Sequence, residues 1–485
     1  MWSDELQQPT LVRQQAFFAG AWRDADNQQT LDVINPASGE RLATIPALGA
    51  PETTRAIEYA EQARHKWAKT PNAERAALLE TWYQLIMANA DTLARIMTAE
   101  QGKPLAEAKG EVVYGASFVK WFAEEARRIS GETIPAPTAD RRILVLKQPV
   151  GVAAAITPWN FPIAMITRKV APALAAGCPV IVKPSELTPL CALALMALAE
   201  QAGIPDGVLQ VLTGLPAGIG ATLTASPVVR KISFTGSTRV GQLLMVQSAD
   251  SVKRLSLELG GNAPFIVFDD ADLELAIAGI MSSKFRNAGQ TCVCANRIFV
   301  QRGIYQRFSE RLQEAVGQLQ VGEGTVAGVT LGPLINRAAV EKVNRHIDDA
   351  LSQGATLLAG GITAGGSQFV QPTILGNVSE EMLISREETF GPVAPLFIFD
   401  DESQVISMAN NTPYGLGAYF FTENMRRAWR VAEALEFGMV GYNTGVISME
   451  VAPFGGIKLS GIGREGARCG IDEYLESKAF HIGGL

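Results

Sequence analysis

The sequence contains few cysteines, and their number and spacing exclude two classes of protein. Five cysteines occur among 485 residues, at positions 178, 191, 292, 294 and 469. An odd number of cysteines in a long chain does not form a disulfide framework, and without a C-x-x-C pair the sequence predicts no zinc site. We therefore expect no metal, and the free thiols fit a reducing cytoplasm.

The sequence also contains fewer basic than acidic residues. The 42 Lys and Arg residues are outnumbered by 49 Asp and Glu residues, which gives a net charge of −7. Because no basic run is present, we expect neither a nucleic-acid partner nor attraction to an anionic membrane surface. The first ten residues, MWSDELQQPT, lack a cationic segment followed by an apolar one. They predict no secretory signal, so we expect a cytoplasmic protein.

Only one uncharged stretch has the length of a membrane span. Residues 148–167 contain no charged side chain, and about 20 apolar residues are what a bilayer requires. Pro149, Pro158 and Pro162 interrupt this stretch, so we interpret it as a buried strand, a turn and the start of a helix. We expect no membrane partner.

Hydrophobic periodicity indicates an α/β fold. Residues 51–128 have apolar side chains three and four positions apart, which is typical of helices. Helical segments at 188–202 and 216–225 then lie among short apolar or β-branched runs, which are VAAAI (152–156), PVIVK (179–183), VLQVL (208–212), KISFT (231–235) and RLSLE (254–258). This alternation predicts a parallel sheet that is covered by helices on both faces.

A second α/β unit follows the first. FIVF (265–268) begins another series, with helices expected near 271–285 and 303–319. We therefore predict two α/β domains with a hinge near 260–270, a number that agrees with the chain length. RRILVLKQ (141–148) follows a proline-rich stretch and indicates an additional extended strand.

Two signals in the sequence do not support a function. Gly461-Ile-Gly463-Arg-Glu-Gly466 matches the G-x-G-x-x-G dinucleotide fingerprint, but too few residues follow it to complete the strand-helix-strand unit that the fingerprint needs. His65, His346 and His481 are far apart and lack metal-ligand spacing, so we expect surface or packed core roles for them.

Three segments place a reactive side chain among small or turn-forming residues. Cys292 follows a glycine-containing turn, Glu258 ends an apolar strand, and Asn160 lies between the two prolines of PWNFP. Each has an ordinary structural explanation as well: a buried thiol, a structural carboxylate and simple turn chemistry. The carboxyl end of a parallel strand is also where such sheets bind ligands.

Together these segments identify a family resemblance. In chain order, the motifs TPWNFP, VKPSE, FTGST, LELGGN, GQTC, EETFGP and FGGIKLSGIGRE resemble those of the NAD(P)-dependent aldehyde dehydrogenase superfamily. The sequence around FRNAGQTCVCANR is most similar to the succinate-semialdehyde dehydrogenase branch. The resemblance covers nearly the whole chain.

The resemblance implies the aldehyde dehydrogenase fold, with two doubly wound parallel-sheet domains and a small β oligomerisation arm. On this basis residues 1–135 and 152–262 form a discontinuous dinucleotide-binding domain, and residues 263–440 form the catalytic domain. Residues 136–151 and 470–485 are the oligomerisation strands. By analogy we expect a homodimer or a homotetramer.

The family chemistry explains these residue types. An aldehyde cannot expel hydride until a nucleophile has added to its carbonyl, and Cys292 as a thiolate would form a thiohemiacetal and then a thioester. Glu258 is the candidate base for Cys292 and for the water that hydrolyses the thioester. The Asn160 amide and the Cys292 backbone N–H are the candidate oxyanion donors. The resemblance also implies that Lys169 and Glu465 relay protons.

The cofactor residues are implied by resemblance alone. Lys183, Ser185 and Glu186 would face the adenosine ribose, and Gly236 and Ser237 would hold the pyrophosphate at a helix N-terminus. The nicotinamide end would contact three hydrophobic residues and one carboxylate, namely Trp159, Leu259, Phe390 and Glu388. Glu186 favours NAD because a carboxylate repels a 2′-phosphate, although Lys183 and Ser185 leave NADP open.

The substrate residues are two arginines in otherwise uncharged surroundings. Arg168 and Arg286 each require an anion, either an internal carboxylate or the substrate. The resemblance implies that both, together with Ser448, bind a distal carboxylate. We therefore expect a semialdehyde of four or five carbons, and the sequence does not separate succinic from glutaric semialdehyde because one methylene changes binding by only ~1–3 kcal/mol.

Several alternatives stay open at this point. The enzyme could oxidise another small aldehyde, and a thiol hydrolase or acyltransferase would also use Cys292 and Glu258. A non-catalytic descendant of the family is a third reading. Cys294, two residues from the expected nucleophile, is a candidate partner for a reversible redox disulfide or a simple packing residue.

Overall fold

A computed structural model of the chain describes residues 6–363 and 365–485. The strands are β1 (Ala16–Phe18), β2 (Ala21–Arg23), β3 (Thr30–Ile34), β4 (Arg41–Pro46), β5 (Glu132–Ile134), β6 (Arg141–Pro149), β7 (Val152–Ile156), β8 (Val180–Lys183), β9 (Leu209–Val211), β10 (Val229–Thr235), β11 (Arg254–Glu258), β12 (Ala263–Val267), β13 (Ala295–Gln301), β14 (Thr356–Ala359), β15 (Thr373–Gly376), β16 (Val393–Phe399), β17 (Tyr414–Gly415), β18 (Gly417–Phe421), β19 (Met439–Tyr442), β20 (Ile457–Lys458), β21 (Gly461–Ile462) and β22 (Leu475–Gly483). The first five residues, where no secretory signal was expected and where the first domain was taken to begin, lie outside the described residues.

The described residues also form fifteen α-helices. They are α1 (Ala50–Trp67), α2 (Asn72–Ala88), α3 (Ala90–Gln101), α4 (Leu105–Ala126), α5 (Ala164–Ala176), α6 (Leu190–Gln201), α7 (Pro216–Ala225), α8 (Thr238–Ser248), α9 (Leu273–Ile280), α10 (Tyr305–Val316), α11 (Arg337–Ser352), α12 (Leu383–Arg386), α13 (Glu402–Asn410), α14 (Met425–Ala434) and α15 (Cys469–Asp472). A π-helical turn, Met281–Phe285, extends α9 and replaces the end of the α-helix that was expected to reach residue 285.

The helical region predicted at 51–128 is divided into four helices by its turn residues. Pro71 immediately precedes α2, and Pro104 immediately precedes α4, where a proline needs no intrahelical donor. Gly102 ends α3 in the left-handed conformation with φ +93°. The apolar stripe packs inward, with Trp67, Trp82 and other large side chains buried in the core of the first domain.

The first sheet has the order β2-β1-β9-β8-β7-β10-β11-β21, and its central strands β9, β8, β7, β10 and β11 run parallel. All five residues of β7 are buried, because helices cover both faces of the sheet. In the register of the sheet, Ile156 pairs with Lys183 and Thr235 pairs with Glu258. The carboxyl ends of β7, β8, β10 and β11 therefore meet at one edge.

The second sheet has the order β14-β15-β16-β13-β12-β18-β19 and is parallel except at the β14 edge. Only four residues separate the end of β11 from the start of β12, so the chain passes directly from the first sheet to the second. Ala263 pairs with Ala295, which brings the segment before β13 to the same junction. Glu258 and Cys292 thus lie where the two sheets face each other.

A third sheet projects from the first domain. Its order is β22-β6-β5, and β22 pairs with β6 along nine residues, from Leu475 opposite Pro149 to Gly483 opposite Arg141. The third strand, Glu132–Ile134, comes from the segment that the sequence assigned to the dinucleotide-binding domain. The domain boundary predicted at residue 135 therefore lies between β5 and β6, two strands that pair with each other.

The glycine-rich motif at residues 461–466 and His346 have structural roles in the described residues. Gly461 and Ile462 form the edge strand β21, antiparallel to β11, and do not open a helix. His346 is buried, with its ring nitrogens 3.2 Å from Thr389 Oγ1 and 3.1 Å from Glu387 Oε2. Among the residues described, no helix has both the length and the apolar character needed to cross a membrane.

Candidate active site

A tight turn before β13 positions Cys292. Asn287, Ala288 and Gly289 all adopt left-handed backbone angles, with φ of +52°, +54° and +73°. A Cβ on Gly289 would lie 2.2 Å from the carbonyl oxygen of Gly391, so only glycine fits there. The turn delivers Cys292, partly exposed, to a cleft between the two sheets.

Asn160 is held against this same turn. Its side-chain Nδ2 donates to the carbonyl of Gln290 at 3.0 Å. The backbone carbonyl of Asn160 accepts hydrogen bonds from Lys103 Nζ at 2.8 Å and from Asn287 Nδ2 at 3.0 Å. The amide of Asn160 has a second N–H, and within the described residues the backbone N–H of Cys292 donates to no acceptor. Asn160 and Cys292 both line the cleft, so two donors are available beside the thiol.

Glu258 is buried at the end of β11. Its Oε2 has no hydrogen-bond partner among the described residues. Burial, followed by the negative charge of Glu465, raises its pKa well above the ordinary value, and Arg168 and Lys169 oppose that rise. A carboxyl group with a raised pKa is a stronger base once it is ionised.

Glu465 lies at the centre of a buried ion cluster. It forms ion pairs with Arg168 and with Lys169, and Lys169 Nζ also donates to Thr235 Oγ1 at 2.7 Å. Although burial acts in the opposite direction, Lys169 and Arg168 lower the pKa of Glu465. Burial lowers the pKa of Lys169. The cluster therefore joins the two expected relay residues and lies close enough to Glu258 to shift its pKa.

The surroundings of Cys292 favour its neutral thiol form. Burial raises its pKa to about 12, and the positive charge of Arg168 opposes that rise while Glu258 adds to it. A base is therefore needed to form the thiolate at neutral pH. Two carboxylates with raised pKa values, Glu258 and Glu388, act on the pKa of this thiol, and only Glu388 lines the cleft.

The cleft has a volume of about 280 Å³ and brings together most of the expected cofactor residues. Trp159 and Phe390 meet edge to face, with ring centroids 5.6 Å apart. Ser237 caps the N-terminus of α8 by accepting from the Val240 N–H at 3.4 Å. Glu388 Oε1 accepts from the Gly261 N–H at 3.1 Å, and burial raises the pKa of Glu388 to about 7. The cleft is lined on this side by Trp159, Gly236, Ser237, Leu259, Glu388 and Phe390.

The other three expected cofactor residues lie at the same sheet edge but do not line this cleft. Lys183 ends β8, and its Nζ is 2.9 Å from Glu186 Oε2. Burial lowers the pKa of Lys183, and Glu186 opposes the shift. Ser185 Oγ accepts from the Leu187 N–H at 3.2 Å. Lys183 and Glu186 therefore pair with each other, an arrangement that the sequence did not indicate.

The two arginines differ in their surroundings. Arg168 is buried, pairs with Glu465 and has its Cζ 4.0 Å from the ring centroid of Phe454. The sequence had left open an internal carboxylate, rather than the substrate, as the partner of Arg168, and Glu465 is such a carboxylate. The Nη2 of Arg168 makes no well-formed hydrogen bond among the described residues. Arg286 pairs with no carboxylate within the described ranges, and its Cζ lies 5.3 Å from the ring centroid of Phe161. Both guanidinium groups act on the pKa of Cys292.

Ser448 lies on the loop after β19 and is partly buried beside the Tyr114 hydroxyl. Tyr114, Phe454 and Lys103 belong to the site but were missed by sequence reasoning. Nothing in their local sequence marks them: Tyr114 lies mid-helix in α4, and Lys103 lies in the short connection before it. Lys103 and Tyr114 reach the site because α4 packs beside the Asn160 turn, and Phe454 contacts Arg168 from the segment between β19 and β20.

Cys294 does not line the cleft with Cys292. Its thiol is buried, with Sγ 3.4 Å from Lys284 Nζ and 3.5 Å from the Lys284 carbonyl oxygen. Burial raises its pKa. A disulfide with Cys292 stays a prediction. As for metals, the described part of the chain contains no group of three or more metal-ligating side chains.

Comparisons with known proteins agree with this geometry. The model of the aldehyde dehydrogenase family matches residues 22–480. The chain is 58% identical to a 3-sulfolactaldehyde dehydrogenase of Pseudomonas putida over 482 residues, covering 99% of each chain. It is 57% identical to the succinate-semialdehyde dehydrogenase [NADP(+)] GabD of Escherichia coli (strain K12), covering 99% of this chain and 100% of that protein. It is also 57% identical, with the same coverage, to a glutarate-semialdehyde dehydrogenase of Pseudomonas aeruginosa.

A solved structure shows the same fold. The crystal structure of an aldehyde dehydrogenase from Brucella melitensis biovar abortus 2308 superimposes with a TM-score of 0.98 at 59% identity, covering 99% of each chain. The two parallel-sheet units and their junction are thus arranged as in that protein.

Proposed function

Because the chain belongs to the aldehyde dehydrogenase family, we propose that it oxidises a small aldehyde with a distal carboxylate to the dicarboxylic acid, with NAD or NADP as cofactor. Succinate semialdehyde and glutarate semialdehyde are the expected substrates. The observation that carries this proposal is the Arg286 guanidinium, which lies near Cys292 without a carboxylate partner in the described residues. An unpaired guanidinium in a largely buried site favours an anionic ligand.

The first step is addition of Cys292 to the aldehyde. Glu258 accepts the thiol proton, and the thiolate sulfur attacks the carbonyl carbon to form a thiohemiacetal. The negative oxygen that develops is stabilised by the second N–H of the Asn160 amide and by the Cys292 backbone N–H. One such donor contributes about 3–4 kcal/mol to transition-state stabilisation. The turn at Asn287–Gly289 holds both donors in place before substrate binds.

The cleft residues fit a dinucleotide. The apolar rings of Trp159 and Phe390, the capped N-terminus of α8 and the buried carboxyl of Glu388 form one continuous surface beside Cys292. We propose that α8 binds the pyrophosphate and Glu388 the nicotinamide ribose. The hydride acceptor is the nicotinamide of the bound dinucleotide, and loss of hydride converts the Cys292 adduct to a thioester.

The second half of the reaction releases the acid. Glu258 removes a proton from water, which attacks the thioester carbonyl, and the Cys292 sulfur leaves and is reprotonated. Glu465 and Lys169 would pass the proton away from Glu258, a role supported by their ion pair and by their electrostatic effect on Glu258. On this basis the first domain binds the cofactor and the second carries the nucleophile.

The preferred cofactor is proposed to be NAD. Glu186 is partly exposed at the end of β8, where a carboxylate accepts hydrogen bonds from ribose hydroxyls and repels a 2′-phosphate. Its pairing with Lys183 weakens this repulsion. The relative from Escherichia coli is named for NADP(+), so the comparison of both cofactors is a necessary part of the test.

Self-association is proposed through the three-stranded sheet. In the described residues β22 pairs only with β6, so its outer edge is open, and Leu146 and Phe480 are exposed on this sheet. An open edge with apolar side chains favours pairing with a second copy. Light scattering after size exclusion would show a dimer or tetramer, and a monomer at micromolar concentration would refute the proposal.

The test of function is a substrate panel followed at 340 nm with both cofactors. Succinate and glutarate semialdehyde should give a far higher kcat/KM than butanal or pentanal of the same chain lengths. Cys292→Ala should abolish cofactor reduction. Equal efficiency on acidic and neutral aldehydes would refute the substrate class while leaving the family chemistry intact.

One further substrate belongs in that panel. The relative named for 3-sulfolactaldehyde is 58% identical, and a sulfonate is an anion that two guanidinium groups can also bind. A higher kcat/KM for the sulfonate than for either carboxylate would assign the chain to that substrate instead.

A further inference from the structure

Tyr114 carries a buried hydroxyl that makes no well-formed hydrogen bond among the described residues, although the Arg168 guanidinium and the Ser448 hydroxyl lie beside it. Tyrosine hydroxyls usually find a partner when they are buried, and a buried unsatisfied polar atom calls for a specific explanation. The ring itself is well packed, meeting Phe118 edge to face with centroids 5.1 Å apart. The side chain is therefore held with its hydroxyl in a fixed position.

The position of that hydroxyl is set by close packing of α4. A Cβ on Gly115 would lie 2.7 Å from Ile163 Cγ2, so glycine allows α4 to approach the start of α5. Tyr114 packs there against Phe161 and Met165. Arg168 lies one turn further along α5.

A second contact joins α4 to the loop of Ser448. Ser117, one turn after Tyr114 in α4, donates its hydroxyl to Glu450 Oε2 at 3.2 Å. Glu450 is only two residues from Ser448, and the Ser448 hydroxyl lies beside that of Tyr114. Three elements, α4, α5 and the loop after β19, thus converge on the same small region.

Two guanidinium groups act on the hydroxyl, of which Arg168 is also paired with Glu465. Burial raises the pKa of Tyr114, while the nearby Arg168 and Arg286 guanidinium groups oppose the rise. The phenol therefore stays protonated and can donate, and the guanidinium groups can only donate as well. A region with a phenol, a serine hydroxyl and two guanidinium groups has donors in excess, which an anion can satisfy.

We propose that the Tyr114 hydroxyl donates a hydrogen bond to the distal carboxylate of the substrate and so determines specificity for acidic aldehydes. This inference rests on the proposed function, because it requires a substrate with a carboxylate. The geometry that carries it is the position of the hydroxyl, which is fixed by its packed ring, makes no well-formed hydrogen bond and lies beside both arginines and Ser448.

The test compares Tyr114→Phe with the unaltered enzyme on succinate semialdehyde and on butanal. The variant keeps the ring packing and removes one oxygen. The ratio of kcat/KM for the acidic over the neutral aldehyde should fall about tenfold, as expected for the loss of one hydrogen bond to a charged group. Inhibition by succinate should weaken by a similar factor relative to inhibition by butyrate.

The matched control is Tyr305→Phe, which removes a partly buried tyrosine hydroxyl from α10 in the second domain. This variant should leave the specificity ratio unchanged. If Tyr114→Phe changes the ratio by less than twofold, or lowers both efficiencies by the same factor, the inference is wrong. If the unaltered enzyme itself does not prefer the acidic aldehyde, the proposed function fails first, so the two failures are distinguishable.

Discussion

Replacement of Arg286 by alanine should lower activity on acidic aldehydes far more than on neutral ones. In the described residues no carboxylate lies within ion-pair distance of Arg286, and its Nε is buried without a partner. Truncating one member of a buried charge pair costs ~2–5 kcal/mol. Since Arg286 is only partly buried, we expect the lower part of this range, about 2–3 kcal/mol, which is about a 30- to 150-fold loss of kcat/KM.

The assay measures kcat/KM for succinate semialdehyde and butanal at 340 nm. Arg311→Ala is the matched control, because Arg311 on α10 is paired with Glu274 and lies outside the cleft. The control should change neither value, and Arg286→Lys should recover part of the activity on the acidic aldehyde. An equal loss on both substrates would show that Arg286 supports the fold or the Phe161 contact, and would refute its role in substrate binding.

Three other predictions follow from the site. Glu186→Ser should raise the ratio of kcat/KM for NADP over NAD about tenfold, because it removes a negative charge and frees Lys183 from its ion pair; an unchanged ratio would reject the assignment. Glu258→Gln should lower kcat by about 10²–10⁴-fold. Since burial raises the pKa of Glu258 and its ionised form is the base, activity of the unaltered enzyme should fall as pH falls through that raised pKa, and the variant should lose this limb of the pH profile. If Cys292 and Cys294 form a disulfide, dithiothreitol should restore activity after peroxide treatment, and Cys294→Ala should not show this reversible inactivation. Peroxide inactivation that dithiothreitol cannot reverse, or that persists in Cys294→Ala, would refute the switch.

The local sequence was a good guide to the secondary structure. The strands predicted at 152–156 and 254–258 form at those residues, and the helix predicted at 216–225 does too. Buried parallel strands are short uninterrupted apolar runs between turns, so their limits are visible in the sequence. The end of α9 was less visible, because a single π-helical turn continues the helix over only five residues, too few to establish a new periodicity in the sequence.

Residue types likewise selected the candidate reactive groups, but the sequence did not show which distant residues contact them. Asn160, Glu258 and Cys292 each follow a recognisable strand or turn. Tyr114, however, lies within a regular helix, and Lys103 contacts the Asn160 carbonyl from 57 positions away. No local pattern predicts such a contact.

The sequence by itself determined the order of strands and helices, the candidate reactive residues and the family to which they point, because these depend on neighbours within a few positions. Only the tertiary structure decided which charges are paired. It joined Arg168 to Glu465 across nearly 300 residues, and in the described residues it left Arg286 without an ion pair. Ion pairing depends on distances of a few ångströms between side chains on different elements, and those distances are set when the helices and sheets pack together.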